Sequence, residues 1–125
     1  MRWVWIALIA LGCATSEAQQ VTRISNEQLV DLLKQPEVQL LDVRTPAEVA
    51  QGIIEGATVI DIYDPEFISK VNQLDKEKPI AVYCAAGGRS AKSAKTLTDL
   101  GFKKIYDLKA GYRGWKGEGY PTVKE

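Results

Sequence analysis

Histidine is absent from all 125 residues. That removes the usual imidazole base, the cysteine–histidine nucleophile pair and the commonest metal ligand together. Cysteine is scarce, with Cys13 and Cys84 only. Two cysteines cannot build a disulfide framework or a four-ligand zinc site, so no metal and no cofactor are expected. Net charge is missing as well: sixteen Lys and Arg balance sixteen Asp and Glu. Nucleic-acid binding normally shows a basic excess or stripe, so no such partner is expected. There is also no internal repeat, linker or low-complexity segment. What remains is 46% hydrophobic and 26% charged, the balance of a folded globular protein with room for one domain.

The first residues read as a targeting segment rather than as part of the fold. Arg2 supplies a positive start, and residues 3–11 form an unbroken apolar run. Spanning a bilayer takes roughly twenty apolar residues, about twice this length. The run suits a secretory signal that is later removed. Two processing routes are open. Ser16-Glu17-Ala18 offers a signal-peptidase site, making residues 1–18 the leader. Ala10-Leu11-Gly12-Cys13 resembles a bacterial lipobox, making residues 1–12 the leader and Cys13 a lipidated N-terminus. Either way an exported protein is expected, periplasmic or lipid-anchored to a bacterial membrane, with no other membrane contact.

From residue 21 onward, short β-type runs alternate with amphipathic helical runs, the pattern of an α/β domain with a parallel sheet. Strands are expected at residues 21–24, 38–43, 57–62, 79–83 and 104–108. Ser25 with Gln28 forms a capping box for a first helix whose apolar stripe is Leu29, Leu32 and Leu33. Thr45-Pro46-Ala47-Glu48 is a second helix start, with Thr as N-cap, Pro at the first helical position and Gly52 as the stop. Asp64-Pro65 opens a third helix through Phe67, Ile68 and Val71. A fourth is expected over residues 90–100, with Ala91, Ala94, Leu97 and Leu100 on one face and Gly101 closing it. A short helical turn surrounds Trp115.

The stretch that carries chemistry is Val82-Tyr83-Cys84-Ala85-Ala86-Gly87-Gly88-Arg89-Ser90-Ala91. A cysteine ends a strand, small residues follow, and an arginine opens a helix. Ligands of open α/β sheets bind beyond the carboxyl ends of the strands. Small residues with two glycines let the backbone curl into an anion nest above a helix N-terminus. A free thiol titrates at about 8.5, and such surroundings lower that value. The thiolate would then form without a histidine.

Cys84-Ala85-Ala86-Gly87-Gly88-Arg89-Ser90 resembles the active-site loop C-x-x-G-x-R-S of single-domain rhodaneses. A second block, Leu41-Asp42-Val43-Arg44-Thr45-Pro46-Ala47-Glu48 followed by Gly52-Ile53-Ile54-Glu55-Gly56-Ala57, is similar to that family's D-V-R-x-x-x-E and G-H-I-x-G-A segments. Gly101-Phe102 through Leu108, then Gly111, Trp115 and Pro121, match its C-terminal pattern. Together the blocks cover residues 21–125, the expected rhodanese-like domain. The resemblance implies an α/β fold, a central parallel five-stranded sheet flanked by helices on both faces. It implies a sulfurtransferase of the thiosulfate type, moving sulfane sulfur from thiosulfate or a related donor to a thiol or cyanide acceptor through a Cys84 persulfide. A thioredoxin-like protein would be one such acceptor, and a monomer is expected.

Cys84 is then the catalytic residue. The amides of Ala85, Ala86, Gly87, Gly88 and Arg89 bind substrate, and the Arg89 side chain either contacts substrate or, the favoured reading, clamps the loop through a carboxylate. Asp42, Arg44 and Glu48 lie beside the loop as supporting residues, with Arg44 expected to pair with Glu48. Trp115 and Tyr112 are core and pocket wall. Once the leader is removed, Cys84 is the only free thiol, so reduction of the persulfide must come from outside the chain.

The pattern departs from the family at Ile53 and Glu55, in a block that shapes the fold. Ala85, Ala86 and Gly88 carry no charge where many relatives have Arg or Lys. An exposed charge there would be worth about 1 kcal/mol to an anionic donor. Modest affinity for thiosulfate is therefore expected, with room for an uncharged or polysulfide donor. Two rival readings follow. Phosphatases on this kind of loop have five residues between Cys and Arg, and here there are four. A non-catalytic sulfur-sensing or protein-binding module would usually lose the cysteine, which is retained.

Overall fold

The computed structural model of the protein describes residues 20–124. The elements alternate as β1 (Gln20–Ile24), α1 (Asn26–Leu32), β2 (Gln39–Asp42), α2 (Pro46–Val49), β3 (Thr58–Val59), α3 (Phe67–Val71), β4 (Ile80–Tyr83), α4 (Gly88–Asp99), β5 (Lys104–Leu108) and α5 (Gly111–Gly117). All five strands are parallel, in the order β1-β5-β4-β2-β3. The expected α/β class and five-stranded parallel sheet are found. Cys13 and both candidate leader segments lie outside the described residues.

Both faces of the sheet are covered, which is why β2 and β4 are apolar at successive positions rather than alternate ones. Leu41, Val43, Ile80, Val82 and Ile105 pack with Phe67, Val71, Ala94, Leu97 and Phe102 of the α3/α4 layer. Leu40, Ala81, Tyr83 and Leu108 pack with Leu29, Tyr112 and Trp115 of the α1/α5 layer. All four residues of β4 are buried, and the strand lies between β5 and β2. Its carboxyl end is thereby fixed by neighbours on both sides and by helices above and below.

Local signals set the helix ends. The capping boxes of Ser25 with Gln28 and of Thr45 with Glu48 are both formed. Gly101 follows α4 with φ of 96°, a left-handed residue that lets the chain turn into β5. Three expectations are corrected. The third strand is only Thr58–Val59, although the N–H groups of Ile60 and Ile62 still donate to Asp42 and Val43 carbonyls. The apolar residues there record packing of Ile60 and Ile62 onto the core, which a short edge segment needs as much as a full strand does. Asp64 and Pro65 precede α3 in a turn, and the helix begins only at Phe67. On α4, Ala91 is exposed, and the buried positions are Ser90, Ser93, Ala94 and Leu97.

Candidate active site

The site is built on the carboxyl end of β4. Cys84 follows the strand directly and is 1% exposed. The next residues turn back over it, and Gly87 makes the turn with φ of 104°. The positive φ calls for glycine, and a Cβ there would also sit tightly, 3.1 Å from the Lys109 carbonyl. Gly88 differs: it is the first residue of α4, and a Cβ on it would meet nothing within 4 Å. Of the two glycines in the loop, only the first is demanded by the backbone.

The orientation of the loop's peptides comes from the other side. The first N–H groups of a helix have no partner within the helix. In α5 the N–H of Tyr112 donates to the Cys84 carbonyl at 2.7 Å, and the N–H of Arg113 donates to the Ala85 carbonyl at 3.0 Å. A trans peptide points its C=O and N–H in opposite directions. With the Ala85 carbonyl drawn outward to α5, the N–H of Ala86 is turned inward. Gly111 permits this contact: a Cβ on it would lie 2.5 Å from the Ala85 oxygen and 2.8 Å from the Ala86 nitrogen.

The result is a ring of donors on sulfur. The Gly87 N–H reaches Cys84 Sγ at 3.1 Å. Burial pushes the Cys84 thiol up, but the Ser90 hydroxyl and the N–H groups of Ser90, Ala86 and Gly87 outweigh it and hold it below its ordinary value. Of the amides expected from sequence, those of Ala86 and Gly87 act on the sulfur, and the Ser90 amide and hydroxyl, one residue beyond the expected loop, join them.

Arg89 leaves the ring and clamps it. Its Nη1 and Nη2 bind Glu48 Oε1 and Oε2 at 2.6 and 2.8 Å, a two-pronged ion pair joining α4 to α2. The Arg89 guanidinium holds the Glu48 carboxyl down at about 2, and Thr45 adds hydrogen bonds in the same direction. The expected pairing of Arg44 with Glu48 is therefore wrong. Arg44, 2% exposed, binds Asp42 through Nε and Nη2, the latter at 2.7 Å, and donates to the Gly52 carbonyl at 2.7 Å. Burial works against the Arg44 charge, and the fully buried Asp42 carboxylate restores it. The guanidinium lies over the Tyr112 ring at 3.9 Å. Asp42 and Arg44 thus brace the floor beneath the loop while Glu48 serves Arg89.

Beside the loop opens a cleft of about 610 Å³, lined by Arg44, Glu48, Ala85, Tyr112, Arg113 and Lys116 among others. Arg113 and Lys116 take part in no ion pair among the described residues. Trp115 is core, as expected, with its Nε1 donating to the Pro121 carbonyl at 2.8 Å. No group of side chains able to hold a metal occurs among the described residues.

The family model for the rhodanese-like domain matches residues 25–118. This chain belongs to the rhodanese family. It is similar to the thiosulfate sulfurtransferase GlpE of Tolumonas auensis, 36% identical over 78% of this chain and 90% of that one. A rhodanese-related protein of Thermoplasma volcanium shares the fold with a TM-score of 0.74 and 36% identity, over 83% of this chain and 99% of that one. The polysulfide-sulfur transferase of Wolinella succinogenes, a homodimer, is similar with a TM-score of 0.72 and 29% identity, over 88% and 83%. A rhodanese domain with sulfurtransferase homologues is the setting in which the Cys84 ring stands.

Proposed function

We propose that the protein is a sulfurtransferase that moves sulfane sulfur from thiosulfate or a polysulfide to a thiol or cyanide acceptor through a persulfide on Cys84. The observation that carries this reading is the ring of backbone donors about a buried sulfur, with the Gly87 N–H at 3.1 Å. Such donors stabilise the attacking thiolate, and then the persulfide anion that replaces it. In the first half-reaction the Cys84 thiolate attacks the outer sulfur of the donor. A new S–S bond forms, the donor's S–S bond breaks, and sulfite leaves when the donor is thiosulfate. In the second, cyanide or an acceptor thiolate takes the outer sulfur and the Cys84 thiolate is regenerated.

A nucleophile on a residue only 1% exposed suits the end of a small or linear donor rather than a bulky one. The loop side chains are uncharged, so the cations that would draw an anionic substrate are Arg113 and Lys116 at the cleft. The polysulfide-sulfur transferase among the structural relatives supports a polysulfide as donor. A thioredoxin-like protein is the acceptor class we favour in the cell, and the monomer is the working unit. We also propose export, by cleavage after residue 18 or by lipidation at Cys13; the intact mass of the exported protein distinguishes the two.

The test is a thiosulfate:cyanide and polysulfide:cyanide assay of the protein beside its Cys84→Ala variant. Transfer should vanish in the variant, and Cys84 should gain one sulfur, about 32 Da, after exposure to donor. Equal rates for the two proteins would refute the reading. Binding of the donor without added mass would favour a non-catalytic sensing module instead.

A further inference from the structure

Asp107 plays no part in the chemistry above, yet it is the buried carboxylate next to it. It sits on β5, one strand from β4, and is 1% exposed. A buried carboxylate is costly unless paired or hydrogen-bonded. Two groups face it. Ser90 Oγ lies 2.6 Å from Oδ1, and Arg23 Nε on β1 lies 3.5 Å from Oδ2. The Arg23 side chain is 52% exposed, so water screens much of its attraction. On the sulfur side the nearby cation is Arg89 of α4, already held by Glu48.

Ser90 connects the carboxylate to the nucleophile. It is fully buried, its hydroxyl is 3.2 Å from the carbonyl of Gly87, whose own N–H reaches Cys84 Sγ at 3.1 Å, and its hydroxyl and amide help to lower the Cys84 thiol. A serine hydroxyl carries one proton and two lone pairs. With Asp107 ionised, that proton is committed to Oδ1. With Asp107 protonated, the carboxyl O–H donates to Ser90 Oγ, and the Ser90 proton is free to turn to sulfur. The two arrangements interconvert by shifting protons along one line.

We propose that Ser90 and Asp107 are the proton acceptor for Cys84 in this histidine-free chain, with Ser90 as the relay and Asp107 as the store. The S–H bond breaks, and its proton passes to Ser90 Oγ as the Ser90 proton passes to Asp107 Oδ1. The electron pair of the S–H bond stays on sulfur. One negative charge moves from carboxylate to sulfur, and nothing is oxidised or reduced. The proton stays on Asp107 while the sulfur is charged, as thiolate and then as persulfide. Burial raises the Asp107 carboxyl above its ordinary range, against the lowering by Ser90 and Arg23, while Cys84 is lowered, so the two proton affinities approach each other.

This proposal rests on Cys84 as the nucleophile, and its test separates the two. Thiolate absorbance and alkylation rate are followed against pH for the wild type, Asp107→Asn and Ser90→Ala, and the infrared stretch of a protonated carboxyl is recorded on the same samples. The wild type should show thiolate and protonated carboxyl together near neutrality, and two coupled ionisations in its alkylation profile. Asp107→Asn, close in shape but unable to store a proton, should lose the band and show one ionisation. Ser90→Ala should be alkylated at least tenfold more slowly near neutrality, a shift of about one pKa unit. A wild-type thiolate without the carboxyl band, or matching profiles for wild type and Asp107→Asn, would overturn the relay and leave Cys84 as nucleophile. An inert wild-type thiol would overturn both.

Discussion

At the scale of single residues, the Arg89–Glu48 pair sets how the loop responds to acid. The Glu48 carboxyl is held at about 2 in the fold, below its usual 4.5. A depressed carboxylate stabilises the fold fully above its unfolded value and stops doing so as pH falls through the folded one. The clamp should therefore be intact above about pH 4.5 and released by about pH 2, and Glu48→Gln should abolish that part of the acid transition in a pH titration of stability. At neutral pH the same variant should lose about 1–2 kcal/mol in denaturant unfolding, a two-pronged but partly exposed pair. A clamp on Arg89 was legible in the sequence; its partner was not. Arg44 and Glu48 are four apart, which suggests a helical pair, but Arg44 precedes the N-cap Thr45 and so lies outside the helix where that spacing brings side chains together. Asp107 gave no signal either, because it lies seventeen positions on from Ser90 and only the fold joins them.

At the scale of elements, α5 carries a role that its sequence concealed. Its first N–H groups hold the Cys84 and Ala85 carbonyls, and Gly111, with φ of 65°, brings the helix close enough to do so. Gly111→Ala should move the loop, since its Cβ would strike backbone at 2.5 Å. The expected loss is about 1–3 kcal/mol of stability. Sulfur transfer should fall by at least about tenfold, the scale of one pKa unit at the nucleophile. An unchanged alkylation rate at Cys84 would show that α5 does not orient the peptides. Helix starts were readable because caps are local chemistry, as Ser25 and Thr45 show. The short β3 was not, because a strand's length depends on the partner beside it.

For the whole molecule, the alternation of short apolar strands with amphipathic helices made the α/β class legible, and the two-sided burial of β2 and β4 is its structural counterpart. Leu97, fully buried in the α3/α4 layer, is a fair gauge of that core. Leu97→Ala should cost about 2–5 kcal/mol, measured by urea unfolding. The far end of the chain is tied in separately: Ile53 and Val123 exchange two backbone hydrogen bonds of 2.8 Å, and Pro121 accepts from Trp115. Removing residues 121–125 should lower stability by about 2–3 kcal/mol, at roughly 1 per hydrogen bond. The alkylation rate of the folded fraction should stay the same, because none of these three hydrogen bonds involves the Cys84 loop.

The cup around Cys84 is made largely of main-chain dipoles, and main-chain dipoles are not rewritten by ordinary codon changes. Outer side chains of the loop can change, and with them the sulfur donors that are drawn in, while the electrostatic seat beneath stays in place. Exchanging the exposed Ala86 or Gly88 for charged residues is thus the natural route to retuning this protein toward new donors without rebuilding its nucleophile.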